Sequence, residues 1–180
     1  MRQLHLTNEV SLSPITPNDA SVVLDLMVKL YTSAYDYLWT DSGYHYAKTT
    51  FSRDALMKDL DSSNTSYDFI DVDGVHQGML RMCWNQSFAG LNSLKPAKLH
   101  RIYLTKAVRG RQIGPLLMDY ISETARSGGN TCLWLEAMTI STKVVQFYEH
   151  HGYQIHSHIQ LDLPYIKPES AGMVRMVKEL

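Results

Sequence analysis

A hairpin pattern in the middle of the chain constrains the fold most. Residues 67–84 read YDFIDVDGVHQGMLRMCW, two strand-like runs joined at Asp73–Gly74, the dipeptide that best tolerates the positive φ angles of a tight antiparallel turn. KLHRIYL, at 98–104, resembles a further strand, and later strand-like runs are separated from it by helical patterns. Antiparallel strands and strands separated by helices must then share one mixed sheet that helices cover on both faces.

Four segments have helical spacing of their apolar residues. The first is predicted to begin with Thr16 as N-cap, followed by Pro17 and by Asp19 at the third position, and to run to about Tyr31. The others are predicted at 52–60, 116–125 and 141–151. The strand-like runs are 9–15, 67–72, 75–84, 98–104, 131–137, 153–163 and 173–180. The fold class is therefore α/β (α+β), with a central sheet of about seven strands.

Composition limits the classes of partner. The chain has 180 residues, of which 44% are hydrophobic, and 17 Lys and Arg against 18 Asp and Glu. This size and balance suit one domain spanning 1–180, and the turn-rich segment 86–96 is short enough to be a loop. A formal net charge of -1 gives no electrostatic footprint for nucleic acid or an anionic membrane. Small-molecule partners are therefore favoured.

The cysteines and the N-terminal residues predict a reducing compartment. Cys83 and Cys132 each lie in an apolar run, which is typical of a buried, reduced thiol. The sequence MRQLHLTNEVSLSP at 1–14 has no apolar stretch of signal-peptide length, and no eighteen apolar residues run together. We therefore expect a cytoplasmic protein.

The segment Arg109–Gly114, between a strand and a helix, has the chemistry of an anion site. Backbone N–H groups at a helix start converge on one point and favour negative charge there. Gly110 and Gly114 permit close approach of a ligand to the backbone, and Arg109 and Arg111 add positive charge. A solvated helix cap is the alternative. The glycine spacing fits neither a Walker loop nor a Rossmann fingerprint.

Together these segments resemble the GCN5-related N-acetyltransferase (GNAT) family. Its cofactor motif is [QR]xxGx[GA], which 109–114 resembles, and LEAMTISTKVVQFYEHHGY at 135–153 is similar to its LxVxxxNxxAxxFYxxxGF segment. HRIYL at 100–104 is similar to the family's fourth strand. The resemblance is continuous over 98–180, whereas the N-terminal half matches only in layout. It implies an acetyltransferase that moves the acetyl group of acetyl-CoA directly to a primary amine of a small molecule or peptide.

Three residues depart from the family pattern. Gln112 replaces the middle glycine of the loop, Pro115 follows the last glycine, and Ser141 stands where the family often has asparagine. Gln112 could still offer its amide if its φ is negative, and Pro115 in the first helical turn loses only an N–H that needs no helical partner. The resemblance therefore implies these cofactor contacts: Tyr103, Leu104, Arg109, Gly110, Arg111, Gln112, Ile113, Gly114, Pro115 and Ser141.

The resemblance also implies catalytic roles. Tyr148 falls on the family's catalytic tyrosine, which would protonate the departing thiolate, although spacing alone favours a core aromatic. His100 lies about where many relatives carry a glutamate base, and an imidazole titrates near neutrality, so His100 is the first candidate for the base and Glu136 the second. The backbone amides of Tyr103 and Leu104 would stabilise the thioester oxygen and pair with the pantetheine arm.

A stretch rich in tyrosine corresponds to the family's acceptor pocket. Tyr31, Tyr35 and Trp39 are the predicted substrate contacts. Tyr37, Tyr44, Tyr46, Asp36 and Asp41 lie in the same stretch. Aromatic rings and carboxylates would suit a cationic amine, although ordinary core and surface residues are the alternative.

Two other functions stay open. A noncatalytic CoA-binding or regulatory module of the same fold would keep the loop without turnover. A metal site at His150, His151, His156 and His158 is disfavoured, because no cysteine pair or carboxylate lies at ligand spacing, so no metal is expected. A homodimer is compatible with the sequence.

Overall fold

The computed structural model describes residues 3–92 and 95–180, which build one eight-stranded sheet. The strands are β1 (Leu4–His5), β2 (Val10–Pro14), β3 (Thr65–Val72), β4 (Val75–Cys83), β5 (Pro96–Leu104), β6 (Cys132–Met138), β7 (Gln154–Gln160) and β8 (Gly172–Glu179). They are arranged in the order β1-β2-β3-β4-β5-β6-β8-β7. The β5–β6 pair is parallel and every other neighbouring pair is antiparallel, so the predicted mixed sheet is confirmed.

Helices cover both faces of this sheet. They are α1 (Ala20–Tyr35), α2 (Tyr44–Thr50), α3 (Arg53–Asp61), α4 (Ile113–Ser127) and α5 (Thr142–His150). Val23 and Met27 of α1 and Leu56 of α3 belong to one apolar core, with α2 beside them. Leu117 of α4 and Tyr148 of α5 belong to a second core on the other face. Cys83 and Cys132 are buried and unpaired.

Local signals fixed several boundaries as predicted. Asp73 and Gly74 have φ of 52° and 75° in the turn between β3 and β4, as the hairpin requires. The Ser52 hydroxyl accepts a hydrogen bond from the Ala55 N–H at 3.2 Å and caps α3. The Thr16 N–H donates to the Asp19 carboxylate at 2.8 Å, but a 3-10 turn comes first and the α-helix follows it.

Other parts of the fold differ from the prediction. The eighth strand, β1, has two residues, and α2 was not predicted. The first helix continues four residues beyond Tyr31, to Tyr35. Of the predicted loop at 86–96, Ser93 and Leu94 lie outside the described residues, as do Met1 and Arg2 of the N-terminal segment.

The gap between β5 and β6 positions the candidate site. The two strands pair only at Pro96–Lys98 with Cys132–Trp134. Beyond these pairs β5 continues along β4 and β6 along β8, so the facing edges of β5 and β6 separate. A bulge in β5 falls at His100, because Arg81 pairs with Arg101 while Met82 pairs with Leu99. The sheet therefore opens between two of its interior strands, β5 and β6.

Candidate active site

A cavity of 340 Å³ occupies the opening between β5 and β6. Leu99, Leu135 and Tyr148 line it from one core, and Tyr31 and Trp39 line it from the other. The cavity therefore connects the two faces of the sheet, so two molecules could approach each other from opposite sides. Its volume is in the range of small-ligand sites.

The segment 109–114 follows the end of β5 that lies beyond the β5–β6 pairs, and its last two residues, Ile113 and Gly114, begin α4. Gly110 has a φ of 81°, and a Cβ atom there would meet nothing within 4 Å, so the backbone is open to a ligand. Gln112 also has a positive φ, 59°. The condition of a negative φ at Gln112 is therefore not met, and this residue takes the left-handed conformation that a glycine adopts without strain.

Helix α4 begins at Ile113, within the segment 109–114. Leu116 N–H donates to the Gln112 carbonyl at 3.3 Å, which places Pro115 at the third helical position, where no N–H is needed. The prediction that Pro115 costs no helical hydrogen bond is confirmed. A Cβ atom on Gly114 would lie 3.3 Å from the ring of Phe147 on α5. Gly114 therefore allows the start of α4 to pack closely on α5.

The two loop arginines differ in their partners. The Arg111 guanidinium donates to Asp73 at 2.7 Å and to Glu9 at 2.8 Å, so it is tied to the β3–β4 turn and to the segment before β2. Arg109 is exposed, and its side chain makes no hydrogen bond or ion pair within 3–92 and 95–180. Arg109 is therefore the loop cation that is available to bind an anion. Arg111 was also predicted to contribute positive charge to an anion site, but two carboxylates already bind its guanidinium.

The amides that face the opening follow from the pairing of β5 with β4. Thr105 N–H donates to the Gln77 carbonyl at 2.8 Å, and amide direction alternates along a strand. The N–H of Tyr103 therefore points toward β4, while those of Ile102 and Leu104 point toward β6. Of the two amides predicted to stabilise the thioester oxygen, that of Leu104 thus faces the opening and that of Tyr103 faces β4, while the amide of Ile102, which was not predicted, also faces the opening. The ring of Tyr103 does belong to the cavity wall.

Tyr148 lies on α5 with a residual exposure of 9% and lines the cavity. Its hydroxyl has no hydrogen-bond partner in the described part of the chain. Burial, and to a lesser degree the neighbouring Tyr35, raises the pKa of Tyr148 well above the usual phenol value. The hydroxyl therefore keeps its proton at neutral pH, as a proton donor must.

His100 does not have the properties of a general base. Arg81 donates to His100 Nδ1 at 2.8 Å, so that nitrogen is the acceptor and the ring proton sits on Nε2. Burial, together with the charges of Arg101, Arg81 and Lys98, lowers the pKa of His100 to about 2. The expectation that His100 titrates near neutrality is therefore wrong, because cations surround a buried imidazole.

Glu136 is also a poor base. Its carboxylate accepts a hydrogen bond from Lys98 at 2.8 Å and one from Arg175 at 3.1 Å. Burial alone would raise the pKa of Glu136, but these two cations outweigh burial and lower it. Both oxygens are committed to ion pairs, so neither is free to take a proton from an amine.

The aromatic wall of the cavity forms as predicted, but its acidic part does not. Tyr31, Tyr35, Trp39 and Tyr46 all line the cavity, and Trp39 Nε1 donates to the Tyr31 hydroxyl at 3.0 Å. Tyr37 and Tyr44 are exposed. The carboxylates of the same stretch bind backbone N–H groups instead: Asp36 accepts from Tyr37, and Asp41 accepts from Gly43 and His45.

Ser141 lines the cavity and lies before the first residue of α5. Its hydroxyl is hydrogen-bonded to that of Tyr37 at 2.5 Å. This contact links the start of α5 to the segment after α1, and it leaves the Ser141 hydroxyl beside the opening.

The remaining histidines of interest are dispersed. His150 and His151 each bond through Nδ1 to a carbonyl one helical turn earlier, those of Gln146 and Phe147. Within the described ranges, no three His, Cys, Asp or Glu side chains form a group that could hold a metal ion. None of the helices in the same ranges is both long and apolar enough to cross a bilayer.

Solved structures share this fold over nearly their whole length. PaiA N-acetyltransferase from Thermoplasma acidophilum, in complex with coenzyme A, has a TM-score of 0.73 at 14% identity, over 95% of this chain and 99% of its own. A GCN5-related N-acetyltransferase from Rhodopseudomonas palustris has 0.69 at 18%, over 100% and 99%. Spermidine N-acetyltransferase from Vibrio cholerae, in complex with CoA and spermine, has 0.67 at 13%, over 96% of each chain.

No curated protein sequence matches the chain. The model of the acetyltransferase (GNAT) family matches residues 24–153, which include the aromatic stretch, the loop and Tyr148. Since this match covers most of the sequence and the fold agrees, the chain belongs to the acetyltransferase (GNAT) family.

Proposed function

We propose that this chain transfers the acetyl group of acetyl-CoA directly to a primary amine of a small molecule or peptide, with Tyr148 as the general acid. The observation that carries the proposal is the cavity between β5 and β6, which connects both faces of the sheet and is lined by Tyr148. Two structures similar to this chain hold coenzyme A, one of them together with spermine. The proposal is therefore consistent with the family and with the geometry.

The loop suits the diphosphate of coenzyme A. Gly110 leaves its backbone open, the start of α4 supplies unpaired N–H groups, and Arg109 supplies a free positive charge. These are the features that bind phosphate groups through backbone donors and charge-assisted hydrogen bonds. Acetyl-CoA, when bound, supplies an activated acetyl thioester whose sulfur leaves as a thiolate.

Different residues of the chain would then contribute to separate steps of the acetyl transfer. The N–H groups of Ile102 and Leu104 point into the opening, where they can stabilise negative charge developing on a carbonyl oxygen. Tyr148 holds a proton on its hydroxyl and would give it to the departing sulfur. Since His100 and Glu136 are unsuited to deprotonating the amine, that proton would leave to water in the cavity.

A screen of acceptors tests this function. Purified protein is incubated with acetyl-CoA and single amines, and free thiol release is followed across amino acids, polyamines, aminoglycosides and peptides. Amine-dependent thiol release, with the acetylated amine detected by mass spectrometry, is the expected result. Coenzyme A binding by calorimetry without thiol release from any amine would instead favour the noncatalytic module, which the left-handed Gln112 and the committed Arg111 make the second candidate.

A further inference from the structure

The cavity wall carries an excess of positive charge around Arg101. The Asp59 carboxylate accepts from Arg81 at 2.6 Å and lies 3.9 Å from the Arg101 guanidinium, so one carboxylate faces two guanidinium groups. His100, which accepts from Arg81, is uncharged because cations and burial lower its pKa. This group of side chains therefore retains one unmatched positive charge.

A second group repeats the same imbalance. Glu136 is the single carboxylate between Lys98 and Arg175. Lys98 and Glu136 line the same cavity as Arg101. Together the two groups set four cations against two carboxylates, in contrast to the formal net charge of -1 of the whole chain. Of these six groups Lys98, Arg101 and Glu136 line the cavity, so its wall holds two of the cations and one of the carboxylates.

Arg101 is the cation whose polar contacts are the longest, 3.5 Å to Tyr67 and 3.9 Å to Asp59, against 2.6 to 3.1 Å for Arg81, Lys98 and Arg175. It is only 9% exposed, and its one hydrogen bond runs from a terminal nitrogen to the Tyr67 hydroxyl at 3.5 Å, the outer limit of such a bond. In residues 3–92 and 95–180 neither Nε nor the other terminal nitrogen of Arg101 has an acceptor. These nitrogens are not among the fully buried, unpartnered polar atoms of the described residues, and Arg101 lines the cavity, so an anion in the cavity could complete their hydrogen bonds.

The diphosphate of the cosubstrate would bind too far from Arg101 to be its anionic partner, because the two lie on opposite faces of the sheet. Arg101 packs over Phe51, in the core beneath α1–α3. Helix α4 and the loop before it belong to the opposite face of the sheet. Arg101 therefore meets the ligand that enters from the aromatic side, which is the side of the acceptor.

We infer that the acceptor is an amine that also carries a carboxylate, which Arg101 binds, and this inference rests on the proposed acetyl transfer. A guanidinium matches a carboxylate with two parallel N–H···O bonds, while the rings of Tyr31, Tyr35 and Trp39 suit the amine end. A cavity of 340 Å³ holds a molecule of the size of an amino acid. Arg101 thus determines specificity for amino carboxylates over diamines.

The wild-type protein can be tested with matched amine pairs. Thiol release from acetyl-CoA is measured with α- and ω-amino acids and with their carboxamides, which keep the amine and lose the carboxylate. We expect kcat/KM about 10- to 100-fold higher for the acid, as befits a charge-assisted pair. A carboxamide also has a less basic amine, so chemistry alone would favour it. Equal or better turnover of carboxamides or diamines would overturn the inference, whereas no turnover of any amine would overturn the proposed function.

Substitution of Arg101 tests whether this residue causes the preference for the amino acid over its carboxamide. Arg101→Met keeps much of the side-chain volume and removes the charge, and we expect it to abolish the preference for the acid while KM for acetyl-CoA is unchanged. Arg126→Met removes an exposed arginine of α4 as the matched control. If Arg101→Met does not fold, Arg101→Lys replaces it and should lower the preference without removing it. An unaltered preference in a folded Arg101 variant would overturn the assignment.

Discussion

The catalytic role proposed for the Tyr148 hydroxyl can be tested separately from the packing of the Tyr148 ring. Replacing Tyr148 by Phe keeps the ring in its core and removes only the proton donor. Because that proton is needed only as the thiolate departs, we expect kcat to fall roughly ten- to a thousand-fold with little change in acetyl-CoA affinity. Steady-state kinetics with an accepted amine, together with calorimetric binding, measure both quantities.

Tyr153 offers the matched control. It belongs to the same core as Tyr148, with ring centroids 5.8 Å apart, and its buried hydroxyl lacks a partner within the described residues. Tyr153→Phe should leave kcat unchanged and cost no stability, since no hydrogen bond is lost. An equal loss of kcat in both variants would return Tyr148 to the role of a core aromatic.

The state of His100 predicts the pH profile. Since the pKa of His100 is lowered to about 2, this side chain stays neutral throughout the range in which activity can be measured. We therefore expect kcat/KM to rise with pH as the amine itself loses its proton, with no inflection near the usual histidine pKa of about 6.5. The profiles of the wild type and of His100→Gln should have the same shape. An inflection near neutrality that His100→Gln removes would restore His100 as the base.

At the scale of elements, two ion pairs of Arg111 join the loop before α4 to the β3–β4 turn and to the segment before β2. Because Arg109 is free while Arg111 is bound to Asp73 and Glu9, we expect Arg109→Ala to weaken CoA binding about tenfold and Arg111→Ala by less. Isothermal titration with CoA makes the comparison, with Arg126→Ala as a distant control. A larger loss for Arg111→Ala would mean that Arg111 exchanges its carboxylates for the diphosphate.

Elements with strong local signals were predictable and those without them were not. The β3–β4 hairpin and the Ser52 cap follow from neighbouring residues alone. Helix α2, however, buries only Ala47 and so has no apolar stripe, and β1 has two exposed residues. Contacts with residues outside each element stabilise both of them, and a short window of sequence does not show such contacts.

The same reasoning applies to the site. The loop and Tyr148 were recognisable because their residues are close together in the chain. The states of His100 and Glu136 depend on partners far away in sequence, Arg81 and Arg175. The family resemblance predicted which groups to expect at the site, but their charges depend on neighbours that only the fold brings together.

At the scale of the whole molecule, Asp68 affects the free energy of unfolding. Burial raises the pKa of Asp68 on β3 to about 6. The folded state therefore keeps a proton that the unfolded state releases above its pKa of 3.8, so this side chain lowers stability as pH rises from about 4 to 6. We expect Asp68→Asn to stabilise the protein by about 1 to 3 kcal/mol at pH 7 and to have little effect near pH 3.5.

Denaturant unfolding at the two pH values measures this difference. Asp25→Asn, at an exposed position of α1, is the matched control and should change neither value. Stabilisation by Asp68→Asn that is equal at both pH values would show that packing, and not the carboxylate charge, is responsible.

The separation of β5 from β6 also has a mechanical consequence. When a sheet is pulled apart across its strands, the pair with the fewest hydrogen bonds carries the highest tension per bond. The two-residue edge strand β1 shares two register partners with β2. Among the other pairs, β5 and β6 share three, whereas each remaining pair has five or more. Apart from the loss of β1 at the edge, the sheet would therefore separate first between β5 and β6, at the candidate active site, and a ligand bridging these two strands would raise the force needed.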